Sequence, residues 1–199
     1  NQFVKEIEEL EGKPWKNLRR DVLYGREFRY SLSDSDGKQL TKEQQEYFGE
    51  HGLKDDNGNL LKLYRSADGG RTVWDGRGSG SWAKGIYLTD DPYVARAFAA
   101  GRTKGDDILE VYAKAENPFV IDAQGNNYMS IPLPEDAPEW LADSADIYDE
   151  LNADQLPITA FENGYDAVVI KNVREGVGGD PATDVVLRDS NQFKNSDNT

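Results

Sequence analysis

Apolar and polar positions over residues 84–98 alternate first with a period of two and then at helical spacing. Ile86 and Leu88 fall on one face of a short strand, Tyr87 and Thr89 on the other. Asp90 and Asp91 offer capping oxygens, Pro92 suits a first helical turn, and Val94, Ala95 and Phe98 continue on one helical face. The predicted unit is a strand, a turn and a helix. Upstream, Phe3, Ile7 and Leu10 form one stripe and Trp15, Leu18 and Val22 a second. Gly12-Lys13-Pro14 separates them, so residues 2–29 read as short peripheral helices. Polar residues 31–40 read as a linker or surface loop. Thr41 with Gln44 forms a capping box that starts a helix running to about residue 50.

Further along, a turn at 55–59 precedes a strand at 60–66, and residues 68–83 form a glycine-rich loop. That loop lacks the lysine spacing of a phosphate-binding P-loop. Strands are expected at 108–115, 119–122, 165–170 and 184–187. Trp140, Ile147 and Leu151 suggest a helix over 139–151. A shorter helix over 157–163 closes at Gly164, and the tail after Lys194 is expected to fray. Short strands mixed with helices, without regular alternation, argue for an α+β fold rather than a parallel doubly wound sheet.

Composition narrows the chemistry. A chain of 199 residues with 37% hydrophobic and 30% charged residues is long enough for one domain with a sizeable core. No apolar run approaches a membrane span, and no secretory leader pattern opens the sequence. Asn1 is not a natural start, so the chain reads as an excised domain or processed product. The absence of cysteine excludes disulfides, thiolate zinc sites and cysteine nucleophiles. That absence suits the cytoplasm and a domain that must cross a membrane unfolded. His51 is the only histidine, which excludes a multi-histidine metal site; it reads as a helix-terminus or surface residue. No metal is called for.

The net charge of -14 gives no overall basic footprint and disfavours indiscriminate nucleic-acid binding, while leaving room for a local basic groove. Charge is uneven, however. Residues 135–154 carry eight acids and no Lys or Arg, a solvated face that could meet a basic protein. Residues 62–84 carry five bases against two acids, beside the strand of Tyr87, where a dinucleotide diphosphate would be welcome.

Three separated pieces carry the candidate chemistry. The first is Leu63-Tyr64-Arg65-Ser66, the second the Tyr87 strand with its following helix, and the third Thr183-Asp184-Val185-Val186-Leu187 continuing to Gln192-Phe193-Lys194. Each also has a plain structural reading: a strand-end arginine, a strand–helix joint with core aromatics, and a strand-entry aspartate. Gln192 would then satisfy backbone at an edge. Taken in order, the pieces resemble the ADP-ribosyltransferase superfamily, in its poly(ADP-ribose)-polymerase-like and phage or bacterial toxin branches. Residues 111–123, with Asn117-Pro118-Phe119-Val120-Ile121-Asp122-Ala123, and residues 163–173 resemble segments of the ADP-ribosyltransferase domains of phage polyvalent proteins.

The resemblance implies a split, curved β-sandwich with peripheral helices. It spans about residues 31–195, leaving 1–30 as an appendage or linker and 196–199 as a tail. It implies NAD as substrate and a protein target, together with a toxin, effector or phage-encoded role, delivery to a target cytoplasm and a neutralising partner. Arg65, with Ser66 beside it, would hold ribose or phosphate oxygens through a planar fork. Tyr87 and Phe98 would stack on nicotinamide, and Thr89 would help order the site. Asp184 would bind the ribose 2′-hydroxyl and steady an oxocarbenium-like transition state, with Gln192 as the other candidate for that role. The family usually has glutamate where Asp184 stands. Aspartate is shorter by about 1.5 Å, and a misplacement near 1 Å can cost roughly a hundredfold in rate. Water as acceptor would make the protein an NAD glycohydrolase, and loss of activity would leave a binding or phage structural module.

Overall fold

The computed structural model describes residues 31–66, 85–99, 108–175 and 179–197. The expected N-terminal helices and the 68–83 loop lie outside them. Within the described residues nine strands alternate irregularly with short helices. Seven strands form one curved, unclosed mixed sheet in the order β4 (Pro118–Asp122), β7 (Ala167–Val173), β8 (Ala182–Leu187), β2 (Ile86–Thr89), β1 (Leu63–Ser66), β3 (Ile108–Ala113) and β9 (Phe193–Asn195). β4 and β7 run parallel and the other neighbours antiparallel. The α+β expectation therefore holds.

The sheet has a narrow waist. β2 pairs with β8 over four register positions and β1 with β3 over four, yet β1 meets β2 only at Tyr64↔Thr89. Beyond that pair the two halves part. Alternation sends Leu63, Val111, Ile86, Leu88, Val185, Leu187 and Val169 to one face, where they form a continuous apolar cluster across the waist. Val168, Ile170, Val186 and Ile121 point to the other face. There α4 (Leu156–Glu162), the one-turn α3 (Glu139–Ala142) and the β5 (Ile131–Pro132)–β6 (Glu150–Leu151) pair complete a second cluster through Leu141, Leu151, Leu156 and Ala160.

Three local features bear on the site. Helix α1 (Lys42–Phe48) opens on the expected Thr41–Gln44 capping box. Helix α2 (Pro92–Ala99) is capped by Asp91 alone, whose Oδ1 accepts the Tyr93 amide at 2.7 Å. Asp90 instead faces β8: its Oδ1 accepts from the Thr183 amide at 2.7 Å, and its amide donates to the Thr183 carbonyl at 3.0 Å. Gly85 leads into β2 with φ +129°, where a Cβ would stand 2.5 Å from Val186 Cγ1.

Of the two readings of residues 31–40, the surface loop holds, with residues 35–39 exposed around a turn, and the linker does not: Asp34 is fully buried, its Oδ2 accepting from the Tyr112 hydroxyl at 2.7 Å and its Oδ1 from the Lys38 amide at 2.8 Å. The helix expected over 139–151 lasts one turn. The Ser144 hydroxyl donates back to the Trp140 carbonyl, and Asp146 Oδ1 accepts from the amides of Tyr148 and Glu150. These local bonds replace the helical ladder and leave Ile147 89% exposed. At the other end the chain is held as far as Ser196, which is buried and whose carbonyl accepts from Gln44 Nε2 at 2.8 Å.

Candidate active site

Cross-strand register builds the site. Tyr64, Thr89, Asp184 and Ile170 pair in one row across β1, β2, β8 and β7, so their side chains share a face. Tyr87, two positions before Thr89, lies on the same face and packs against the second apolar cluster. Ser66, two positions after Tyr64, falls on this face as well. Three of the expected residues, Tyr87, Thr89 and Asp184, are thus neighbours.

Two buried polar atoms here make no hydrogen bond: the Tyr87 hydroxyl and Asp184 Oδ1. Such atoms cost about 1–3 kcal/mol each, and both lie on the same face of the sheet. Asp184 is only 9% exposed. Burial first, and then the adjoining Glu175 carboxyl, lift its pKa well above the ordinary aspartate range, while the Thr89 hydroxyl opposes the shift. Glu175 is itself raised by burial and by the charge of Asp154, and its contact with Asp184 works against that rise. Tyr87 is pushed up by burial and by the negative charges of Asp154, Glu175 and Asp184, so its phenol stays neutral.

Glu175 was not foreseen. In the strand ending at Ile170 it would point to the opposite face from Asp184. A bulge intervenes: the register passes from Ile170↔Asp184 to Val173↔Ala182, and Asn172 adopts φ +54°. The extra residue reverses the alternation. Val173 returns to the second cluster, and Glu175, two residues on, turns toward Asp184. The Asn172 side chain anchors the bulge, Nδ2 donating to Asp122 Oδ1 at 3.0 Å.

The remaining expected residues are placed differently. Arg65 pairs in register with Leu109 and so belongs to the opposite face; its guanidinium crosses the waist and donates from Nη1 to the Tyr87 carbonyl at 2.9 Å. Phe98 lies on α2, 52% exposed, and among the described residues no ring contact joins it to Tyr87. Gln192 serves the scaffold. Its Oε1 accepts from the Asp189 amide at 2.8 Å, and its Nε2 donates to the carbonyls of Asp166 and Lys114. Those partners sit at the Ala167–Leu187 end of β7 and β8, away from Asp184.

A groove of about 610 Å³ opens on the opposite face of the sheet, lined among others by His51, Asp56, Val120 and Lys171. Asp90 and Thr183 line it too, but Tyr87 and Asp184 do not. Among the described residues no group of three or more His, Asp or Glu side chains is arranged to hold a metal, and no helix is long and apolar enough to cross a membrane.

The site is therefore a neutral phenol and a carboxyl pair on one sheet face, beside a waist in the sheet. A search of curated proteins finds no match to the chain. The family model described as ADP-ribosyltransferase in polyvalent proteins matches residues 55–199, which include every residue of this site.

Proposed function

Because the chain belongs to the ADP-ribosyltransferase family of polyvalent proteins, whose activity is the transfer of ADP-ribose, we propose that it takes the ADP-ribosyl group from NAD and passes it to a protein target. The observation that carries this reading is the unpartnered Asp184 Oδ1 beside the unpartnered Tyr87 hydroxyl on one face of β2 and β8. The ring of Tyr87 offers nicotinamide a stacking surface. Asp184 accepts the ribose 2′-hydroxyl and, as an anion, stabilises the oxocarbenium-like charge as the C1′–N bond breaks. The bonding pair leaves with nicotinamide, which departs neutral. A nucleophile on the target then attacks C1′ and gives up its proton. Arg65, bonded across the waist, braces the Tyr87 strand and supplies positive charge for ribose or diphosphate. The family's association with polyvalent proteins supports a phage-encoded effector role.

Nicotinamide release from NAD, with and without bacterial or eukaryotic lysate, tests the proposal. Asp184→Ala is expected to lower release by roughly 10²–10³, the loss seen when a transition-state charge partner is removed. Tyr87→Ala is expected to raise KM severalfold, as a lost ring contact does. Release that depends on lysate identifies a macromolecular acceptor; release without lysate assigns water or the protein itself, which intact mass separates. Full release in both variants overturns the assignment.

A further inference from the structure

The charges of three carboxylates from three different elements act on Tyr87: the exposed Asp154 from the segment before α4, Glu175 beyond the β7 bulge and Asp184 on β8. Family resemblance calls for one acid here. Glu175 needs a reason, because a second carboxyl set against the buried Asp184 is unfavourable. Among the described residues none of the three makes an ion pair.

Among the described residues, three other charged groups stand near the cluster. Asp90, in the turn after β2, adds further negative charge toward Asp184. Arg174, beside Glu175 in sequence, is committed to the carbonyls of Gly125 and Gly179 at 2.9 and 2.8 Å. Arg65 bonds the Tyr87 main chain from the opposite face.

Resting on the NAD reading above, we infer that Glu175 is a specificity-determining residue: with Asp184 it forms a carboxyl pair that recognises the positive charge of the oxidised pyridinium ring and releases its shared proton when that ring binds. Among the described residues no ion pair offsets these two carboxyls, one buried and one half-buried, so the resting pair holds one proton between them. The oxidised ring brings a cation to the face that Tyr87 and Asp184 share. Both carboxylates then ionise, and one proton leaves to solvent. The balance is one nucleotide bound and one proton lost, with no change of oxidation state. A reduced dihydropyridine ring has the same outline and no charge, so it leaves the proton in place and forgoes the attraction.

The bulge at Asn172 is the structural device behind this, because it alone turns Glu175 to the Asp184 face. Asp154 reinforces the effect through its charge on both Glu175 and Tyr87.

Titration calorimetry on the full chain tests the inference. The probes are carba-NAD, which keeps the cationic ring but cannot be cleaved at the glycosidic bond, and NADH. Each is titrated at neutral pH in two buffers of different ionisation enthalpy, which counts the protons released. The expected result is close to one proton released with carba-NAD, none with NADH, and an affinity preference for carba-NAD of at least about tenfold, the scale of one extra charge interaction at short range. Glu175→Gln should abolish the proton release and reduce the preference by a similar factor. Should that variant not fold, the wild-type protein still decides. Its carba-NAD affinity should rise with pH, by up to about tenfold per unit across the titration of the pair, while NADH affinity stays flat. Equal binding of both nucleotides without proton release overturns the inference and leaves the nucleotide site standing, as does a Glu175→Gln protein that behaves like wild type. No binding of either nucleotide overturns the inference and the NAD reading together.

Discussion

Asp184 is held at a cost to stability. Its folded pKa lies well above the usual aspartate range because burial and Glu175 disfavour the anion. In the unfolded chain an aspartate titrates near ~3.9. Above that pH the unfolded state has lost the proton that the folded state retains, so the unfolded chain binds fewer protons and stability falls as pH rises toward the folded pKa. Asp184→Asn removes this penalty. It should stabilise the protein at neutral pH by about 1 kcal/mol, or ~2–4 °C in Tm for a chain of this size. The gain should vanish below about pH 4, while nicotinamide release is lost at every pH. Calorimetric scans across pH measure it, and a lower Tm for the variant at neutral pH would mean that the carboxylate contributes net stabilising contacts. At this scale Tyr87 and Thr89 were legible because simple alternation along β2 places them on one face, while Asp184 stood out through the family resemblance and only the pairing of β2 with β8 sets it beside them. Gln192 was not, since its role depends on backbone groups at positions 114, 166 and 189 that only the fold assembles.

The element that matters most is the end of β7. Its first four residues, Ala167 to Ile170, read as a plain apolar strand, and nothing in them announces a bulge. Asn172 alone, a residue type that tolerates the left-handed region, hints at one. The positive φ at Asn172 and its bond to Asp122 fix the reversal of alternation. Asn172→Val, β-branched and poorly suited to that conformation, should cost roughly 1–3 kcal/mol and should lower nicotinamide release beyond what unfolding explains, because Glu175 loses its aim. Asn172→Gly keeps the conformation open and should retain most of the activity, losing only the side-chain anchor. Urea melts paired with initial rates at a temperature where both variants are folded make the comparison; equal activity in the valine variant would separate Glu175 from the bulge. The same kind of local competition explains the missing helix at 139–151. Apolar spacing was present there, but Ser144 and Asp146 bond their own backbone neighbours and end the helix after one turn. Periodicity reports which face is apolar and is blind to short side chains that divert the hydrogen bonds.

Over the whole molecule, hydrogen bonding and packing divide the sheet differently. The ladder between β1 and β2 narrows to one residue pair, which taken alone suggests two halves. The apolar cluster beneath the waist does not narrow: Leu63, Val111 and Ala113 from one half pack with Ile86, Leu88, Val185 and Leu187 from the other. The parting of β1 and β2 also lets the Arg65 guanidinium reach the Tyr87 carbonyl. This combination permits a cleft to form at the waist while a common core holds the halves in register. The described residues should then unfold in one cooperative step, with far-UV and near-UV signals coinciding in urea. Leu63, fully buried on β1, tests the coupling. Leu63→Ala should lower stability by about 3–5 kcal/mol and shift both signals together, because the cavity it opens weakens both halves. Two separated transitions, or a variant in which only one signal moves, would show that the halves fold independently and that the waist is a true boundary.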